Sequence, residues 1–260
     1  MSSKSIGIFD SGVGGLSIWN EIHLLLPMES TIYLSDSKHA PYGPKGKEAI
    51  IELSVKNTEW LINQGCKLIV VACNTATTNA IDALRKNYSI PFIGIEPAIK
   101  PAALQSKSKA IGILATKGTL SSHLFHETSQ LYSTELLVVE QIGNGIVELI
   151  ENGALYSNEM KCLLQNYLEP MLEAEIDCLV LGCTHYHFLT PILKQLLPTH
   201  VKIIDSGKAV ARQTKAVLEK TQLLNRATVE KTNRFYTNGD EKIIASLLKS
   251  ETASITTLDF

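Results

Sequence analysis

Leu68-Ile69-Val70-Val71-Ala72-Cys73-Asn74-Thr75-Ala76-Thr77-Thr78 is the stretch whose reading decides the fold. An unbroken apolar run leads into a cysteine, and a polar Asn-Thr pair follows at once. A run without polar alternation suits a parallel strand buried on both faces. The polar pair after it suits the start of a helix. The chain writes the same phrase again as CLVLGCTHYHFL, Cys178 to Leu189, with Cys183 in the place of Cys73.

Outward from this stretch, further strand ends match in pairs. IGIFDSGVGGLS from Ile6 is echoed by IGILATKGTLSS from Ile111, and FIGIEPA around Glu96 by KIIDSG around Asp205. With Cys73 and Cys183, the three offsets are 105, 110 and 109. A near-constant offset over three strand ends is the mark of two units of similar fold. Between the strands run helical segments, Leu16 to Leu26, Lys47 to Gln64 and the stretch from Asn74 to Tyr88. Strands alternating with helices give an α/β chain with mostly parallel sheets. The expectation is two similar doubly wound α/β domains facing one cleft. The first takes residues 1–97 plus 208–260 and the second 98–207. The tail from Lys208, with a helix to Lys220, a strand Arg234 to Thr237 and a helix Asp240 to Leu248, is too short to stand alone and packs back on the first.

Composition excludes several classes. Lys and Arg number 24 against 26 Asp and Glu, so no basic excess recommends a nucleic-acid partner. No apolar run is long enough for a membrane span, and the opening MSSKSIGIFD lacks a signal-peptide core, which points to the cytoplasm. Five cysteines is an odd and sparse set, favouring free thiols over a disulfide framework. DSGVGGLS lacks the Lys-Ser/Thr of a phosphate loop, and CTHYH at 183–187 has no second ligand cluster with zinc-like spacing, so no nucleotide and no metal are expected. Cys66, Cys162 and Cys178 read as structural, Asp36 as a loop-capping acid, and His39, His123, His126 and His200 as solvated.

In an open α/β sheet ligands bind beyond the carboxyl ends of the strands. Cys73 and Cys183 would then face one another across the cleft, each before a helix N-terminus that favours anions. Such a position is expected to lower a thiol from about 8.5 toward neutrality. One acid/base group on each face of a bound molecule is what inversion of a carbon centre requires. Asp10 stands near Cys73. His185 would share a face with Cys183 along a strand-like path. Ser11, Asn74, Thr75, Thr116, Thr119 and Thr184 would meet a ligand's carboxylates. A dithiol redox pair is the rival from another class, although neither thiol belongs to a C-x-x-C motif.

The pieces IGIFDSGVGGLS, APYG at 40–43, VVACNTAT at 70–77, PFIGIEPAIKPA at 91–102, LGCTHY at 181–186 and IDSG at 204–207 resemble the glutamate racemases of the aspartate/glutamate racemase family. The resemblance implies a cofactor-independent, two-thiol racemase that interconverts L- and D-glutamate for peptidoglycan synthesis, cell wall biogenesis and cell shape. Aspartate or another acidic amino acid is the alternative substrate. Carried onto this chain, the resemblance makes Cys73 and Cys183 the bases, with Asp10, His185 and Glu151 assisting. It assigns substrate binding to Asp10, Ser11, Tyr42, Gly43, Asn74, Thr75, Thr116, Thr119, Thr184 and His185. It also implies that a homodimer is common among such chains. Two places depart from the family's pattern: GNGIVELIEN around Glu151, and His187 where proline is usual.

Overall fold

The computed structural model describes residues 4–132, 136–225, 231–248 and 254–260; the first three residues of MSSKSIGIFD therefore lie outside them. The chain runs β1 (Ile6–Asp10), α1 (Leu16–Leu25), β2 (Thr31–Ser35), α2 (Lys47–Asn63), β3 (Leu68–Val71), α3 (Asn74–Asn87), β4 (Phe92–Gly94) and α4 (Ile99–Gln105). There follow β5 (Ala110–Ala115), α5 (Lys117–Leu120), α6 (His123–Gln130), β6 (Leu137–Ile142), α7 (Ile146–Glu151), α8 (Asn158–Glu173), β7 (Cys178–Gly182) and α9 (Thr190–Leu196). Last come β8 (Lys202–Ile204), α10 (Gly207–Lys220), β9 (Asn233–Thr237), α11 (Glu241–Leu248) and β10 (Ser254–Thr257). Short 3-10 helices occupy Ser37–His39 and Thr184–Leu189.

Two sheets result, in the orders β10-β9-β2-β1-β3-β4 and β6-β5-β7-β8, and each strand pair is parallel. The fold class is α/β. The order β2-β1-β3-β4 recurs as β6-β5-β7-β8, so the repeat legible in the sequence is a repeat of topology. The central strands are the ones with unbroken apolar runs: every residue of β1, β3, β5 and β7 is buried. Helices cover both faces of such a strand, and removing that apolar area from water is the main driving force here.

Strands β6 and β10 went unread in the sequence for a physical reason. β6, LVVEQI, is a half-exposed edge strand whose polar and apolar residues do not alternate cleanly, and β10, SITT, is a mostly exposed edge of four residues. Thr184–Leu189 is a 3-10 helix and not the strand-like path expected after Cys183. Among the described residues no helix is long and apolar enough to cross a membrane.

The C-terminal segment returns to the first sheet through a buried ion pair. Lys67 Nζ donates to Glu29 Oε2 at 2.6 Å and to the Leu223 carbonyl at 2.8 Å, while Glu29 Oε1 accepts the Asn225 N–H at 2.7 Å. Both charged side chains are 1–2% exposed. Charges this deep hold only while they are matched, since an unmatched one carries its full desolvation cost. Glu29→Gln is therefore expected to destabilise the protein by about 3 kcal/mol in urea unfolding; a loss below about 1 kcal/mol would show that the pair does not anchor the segment.

Candidate active site

Cys73 ends the β3 segment as the N-cap of α3, with extended backbone, and its sulfur accepts the Ala76 N–H at 3.3 Å. It also lies 3.5 Å from Ser11 Oγ. Cys183 holds the equivalent place after β7, its sulfur 3.8 Å from His185 Nδ1. The two sulfurs are close enough for the charge of Cys183 to bear on Cys73. They do not open onto a broad cleft: Cys73 is 5% and Cys183 6% exposed. Cys66 and Cys178 are buried elsewhere, Cys162 is exposed on α8, and all five cysteines are free.

The expected lowering of the Cys73 thiol is not what the surroundings produce. Burial, and after it the Asp10 charge, pushes this thiol up to about 12, against the weaker pull of the Ser11 and Ala76 donors. The helix N-terminus contributes, but an almost dry site and a neighbouring carboxylate outweigh it. Asp10 is fully buried, and burial first, then the repulsion of Glu151, raise it to about 6 despite the attraction of His185. Its Oδ2 accepts the Gly12 N–H at 3.1 Å and its Oδ1 the Thr184 hydroxyl at 3.1 Å.

His185 and Glu151 form the complementary pair. His185 Nε2 lies 2.5 Å from Glu151 Oε1. Burial works against charge on the imidazole, but the bonds to Cys183 and Glu151 win and hold it well above the usual histidine range. Burial also raises Glu151, and the bonds from His185, the Val13 N–H and Ser37 outweigh it, leaving the carboxyl below its ordinary value. His185 comes beside Cys183 through the tight 3-10 turn. The site therefore has a carboxylate on the Cys73 side and an imidazolium beside Cys183.

The other sequence-derived residues line the same junction. Thr75 reaches across the two halves, meaning each sheet with its helices, to the hydroxyls of Thr116 at 2.8 Å and Thr119 at 3.3 Å, which lie 3.1 Å from each other. Asn74 is 3% exposed, and neither its Oδ1 nor its Nδ2 has a hydrogen-bond partner among the described residues. A buried amide left so is costly unless something binds it. Gly43 packs on the second half, where a β-carbon would stand 2.9 Å from Thr116 Cβ. Tyr42 is different: its hydroxyl donates to Asp36 at 2.5 Å and receives Asn57 Nδ2 at 3.1 Å, so it faces its own half.

Some residues fall elsewhere than the sequence suggested. His39 is partly buried and lies 2.6 Å from Asp36, whereas His123 is 84% exposed as expected of a solvated histidine. His187 lies 3.9 Å from Asp205, away from the Cys183–His185 contact. Among the described residues no three His, Cys, Asp or Glu side chains gather as a metal would need. The sequence reading missed Ser37, which donates to Glu151 Oε2 at 2.7 Å, because a Ser in a Pro/Gly-rich loop carries no local signal. It also passed over the glycines of DSGVGG as junction residues. A side chain at Gly12 would strike Glu151 and His185, and one at Gly14 would stand 2.6 Å from the His185 backbone nitrogen.

Comparison with known proteins fits this geometry. The family model for Asp/Glu/Hydantoin racemase matches residues 18–214. A glutamate racemase of Ectopseudomonas mendocina is 46% identical over 95% of this chain and 94% of its own length. The crystal structure of Escherichia coli glutamate racemase with L-glutamate and the activator UDP-MurNAc-Ala superposes with a TM-score of 0.86 at 33% identity, covering 99% of this chain and 100% of that one. A glutamate racemase isoform of Bacillus anthracis gives 0.86 at 31% identity, over 99% and 98% of the two chains. With buried paired thiols at equivalent strand ends and similarity along nearly its whole length, this chain belongs to the aspartate/glutamate racemase family.

Proposed function

We propose that this racemase acts on glutamate, with Cys73 and Cys183 as its two bases. The observation that carries the reading is the pair of buried thiols at equivalent strand ends, Cys73 beside Ser11 and Cys183 beside the His185 imidazole. The names of the relatives support the substrate. In the direction that begins at Cys73, its thiol gives up a proton, and the sulfur then takes the α-hydrogen as a proton. Cys183 returns a proton to the opposite face, so one C–H bond breaks as another forms. Asp10, ionised above about pH 6, is able to accept the first proton. His185, bridging Cys183 and Glu151, reloads the second sulfur. No redox change or cofactor enters this scheme.

Ser11, Asn74 and Thr184 would meet the α-amino and α-carboxylate groups, and the Thr75, Thr116 and Thr119 hydroxyls with the Gly43 backbone the distal carboxylate. Tyr42 then acts by shaping its loop, since its hydroxyl is taken by Asp36. Substrate entry requires the halves to part, which breaks the Thr75–Thr116 bond and the bond from Asn79 Nδ2 to the Gly118 carbonyl at 3.0 Å. We take the halves as two domains, 1–97 with 208–260 and 98–207. The product would supply peptidoglycan synthesis in the cytoplasm.

The reading is tested by following optical rotation with L-glutamate and L-aspartate separately. Turnover of glutamate is expected, and turnover of aspartate alone would assign the other substrate. Cys73→Ser and Cys183→Ser should each lower racemisation by about 10³-fold, the scale of a lost general acid/base. Solvent deuterium should appear at Cα with each inversion; inversion with the original hydrogen retained would rule out exchangeable thiols.

The raised Asp10 also bears on stability. A carboxyl at about 6 in the folded chain against 3.8 in the open chain binds its proton more tightly when folded, so folding loses stability as pH rises between those values. Asp10→Asn is expected to raise unfolding free energy at pH 7 by about 1–3 kcal/mol and much less at pH 4, while cutting activity. Equal effects at both pH values would remove the buried charge as the cause.

A further inference from the structure

Glu151 is gripped from the other half of the molecule. Its Oε1 takes the Val13 N–H at 2.7 Å and faces His185, while its Oε2 accepts the hydroxyl of Ser37 at 2.7 Å. Ser37 Oγ also lies 3.0 Å from Ser35 Oγ. Ser37 is 114 positions away in sequence, in the 3-10 turn after β2.

That turn is itself clamped by the turn after β9. Asn238 donates its backbone N–H to the Ser35 carbonyl at 3.3 Å and its Nδ2 to Asp36 Oδ1 at 2.6 Å. Its Oδ1 accepts the Lys38 N–H at 2.9 Å. Gly239 packs directly behind: a β-carbon there would stand 2.6 Å from Ser37 Cβ. So the Asn238 side chain ties the Asp36 carboxylate before Ser37 and the Lys38 backbone after it, and a glycine closes the space at its back.

The terminal torsion of a glutamate is soft, and one bonded oxygen does not fix the plane of the carboxylate. Two donors on opposite oxygens do. We propose that Ser37, backed by the Asn238–Gly239 turn, is the positioning residue that orients the Glu151 carboxylate toward His185. The proposal rests on the reading of Glu151 and His185 as the groups that serve Cys183. It gives the C-terminal return of the chain a part in catalysis through two intermediaries, without contact with substrate. Ser37 is among the donors that hold the Glu151 carboxyl low, consistent with this placement.

The test compares Ser37→Ala, Glu151→Gln and the double variant, with kcat, KM and the pH profile of kcat/KM measured from L- and from D-glutamate. Ser37→Ala is expected to lower kcat about tenfold, the scale of one hydrogen bond to a charged group, with KM little changed. The acid limb of its profile should move to higher pH, because a donor to the carboxylate is gone. The double variant should be no slower than Glu151→Gln alone. Ser37→Cys, similar in size and a weaker donor, repeats the test should the alanine variant fail to fold. Parental kcat with an unshifted profile in Ser37→Ala, beside an impaired Glu151→Gln, overturns the proposal and leaves the role of Glu151 standing. Additive losses in the double variant overturn it as well. Full activity of Glu151→Gln brings down both.

Discussion

A mostly buried carboxylate that no single half of the chain can satisfy governs this structure. Glu151 belongs to the second half, yet its oxygens are completed by Val13 and Ser37 from the first. Asp10 repeats the arrangement in the opposite sense, a first-half acid that accepts from Thr184 of the second. Charges and polar groups in an almost dry site demand partners, and here the partners arrive only when the halves meet. Closure and a competent site are then one event.

The same constraint explains the glycines of DSGVGG. They resemble a phosphate cradle on paper, but in the fold they remove side chains where Glu151, His185 and Asp10 must approach backbone. A β-carbon on Gly15 would stand 2.6 Å from Asp10 Cβ. Close contact of backbone and buried charge is what lets the Gly12 and Val13 N–H groups act as donors. The consequence is a site in which Cys73 rests as the thiol and Asp10 ionises only above about pH 6, both because burial disfavours their charged forms.

The two thiols differ more than their matched phrases suggest. Cys73 caps a regular helix of fourteen residues and meets backbone and Ser11. Cys183 opens a six-residue 3-10 helix, which swings His185 back against the sulfur and Tyr186 under Gly143, whose carbonyl its hydroxyl reaches at 3.0 Å. The repeat thus preserves strand ends and strand order while the segments after them diverge, and that divergence sets an imidazole against Cys183 where Cys73 meets a hydroxyl and a backbone N–H.

Much was legible in sequence because it is local. Apolar runs mark central parallel strands, a constant offset marks the repeat of strand order, and a cysteine follows each of two matched strands. The turn chemistry of 37–46, the exposed edges β6 and β10, and the 3-10 path of Thr184–Leu189 were not, since local propensity there is weak and packing decides. No pattern links Ser37 to Glu151, or Asn238 to Asp36, because those bonds join segments far apart along the chain. Nor could composition foretell that Cys73 would be pushed up and not down: a helix N-terminus is visible in sequence, but the burial that overrides it exists only once both halves have excluded water. The sequence by itself determined the central strands, the repeat and the side chains that stand at the matched strand ends; the tertiary structure decided their charge states and their partners, because desolvation and long-range hydrogen bonds are properties of the closed fold.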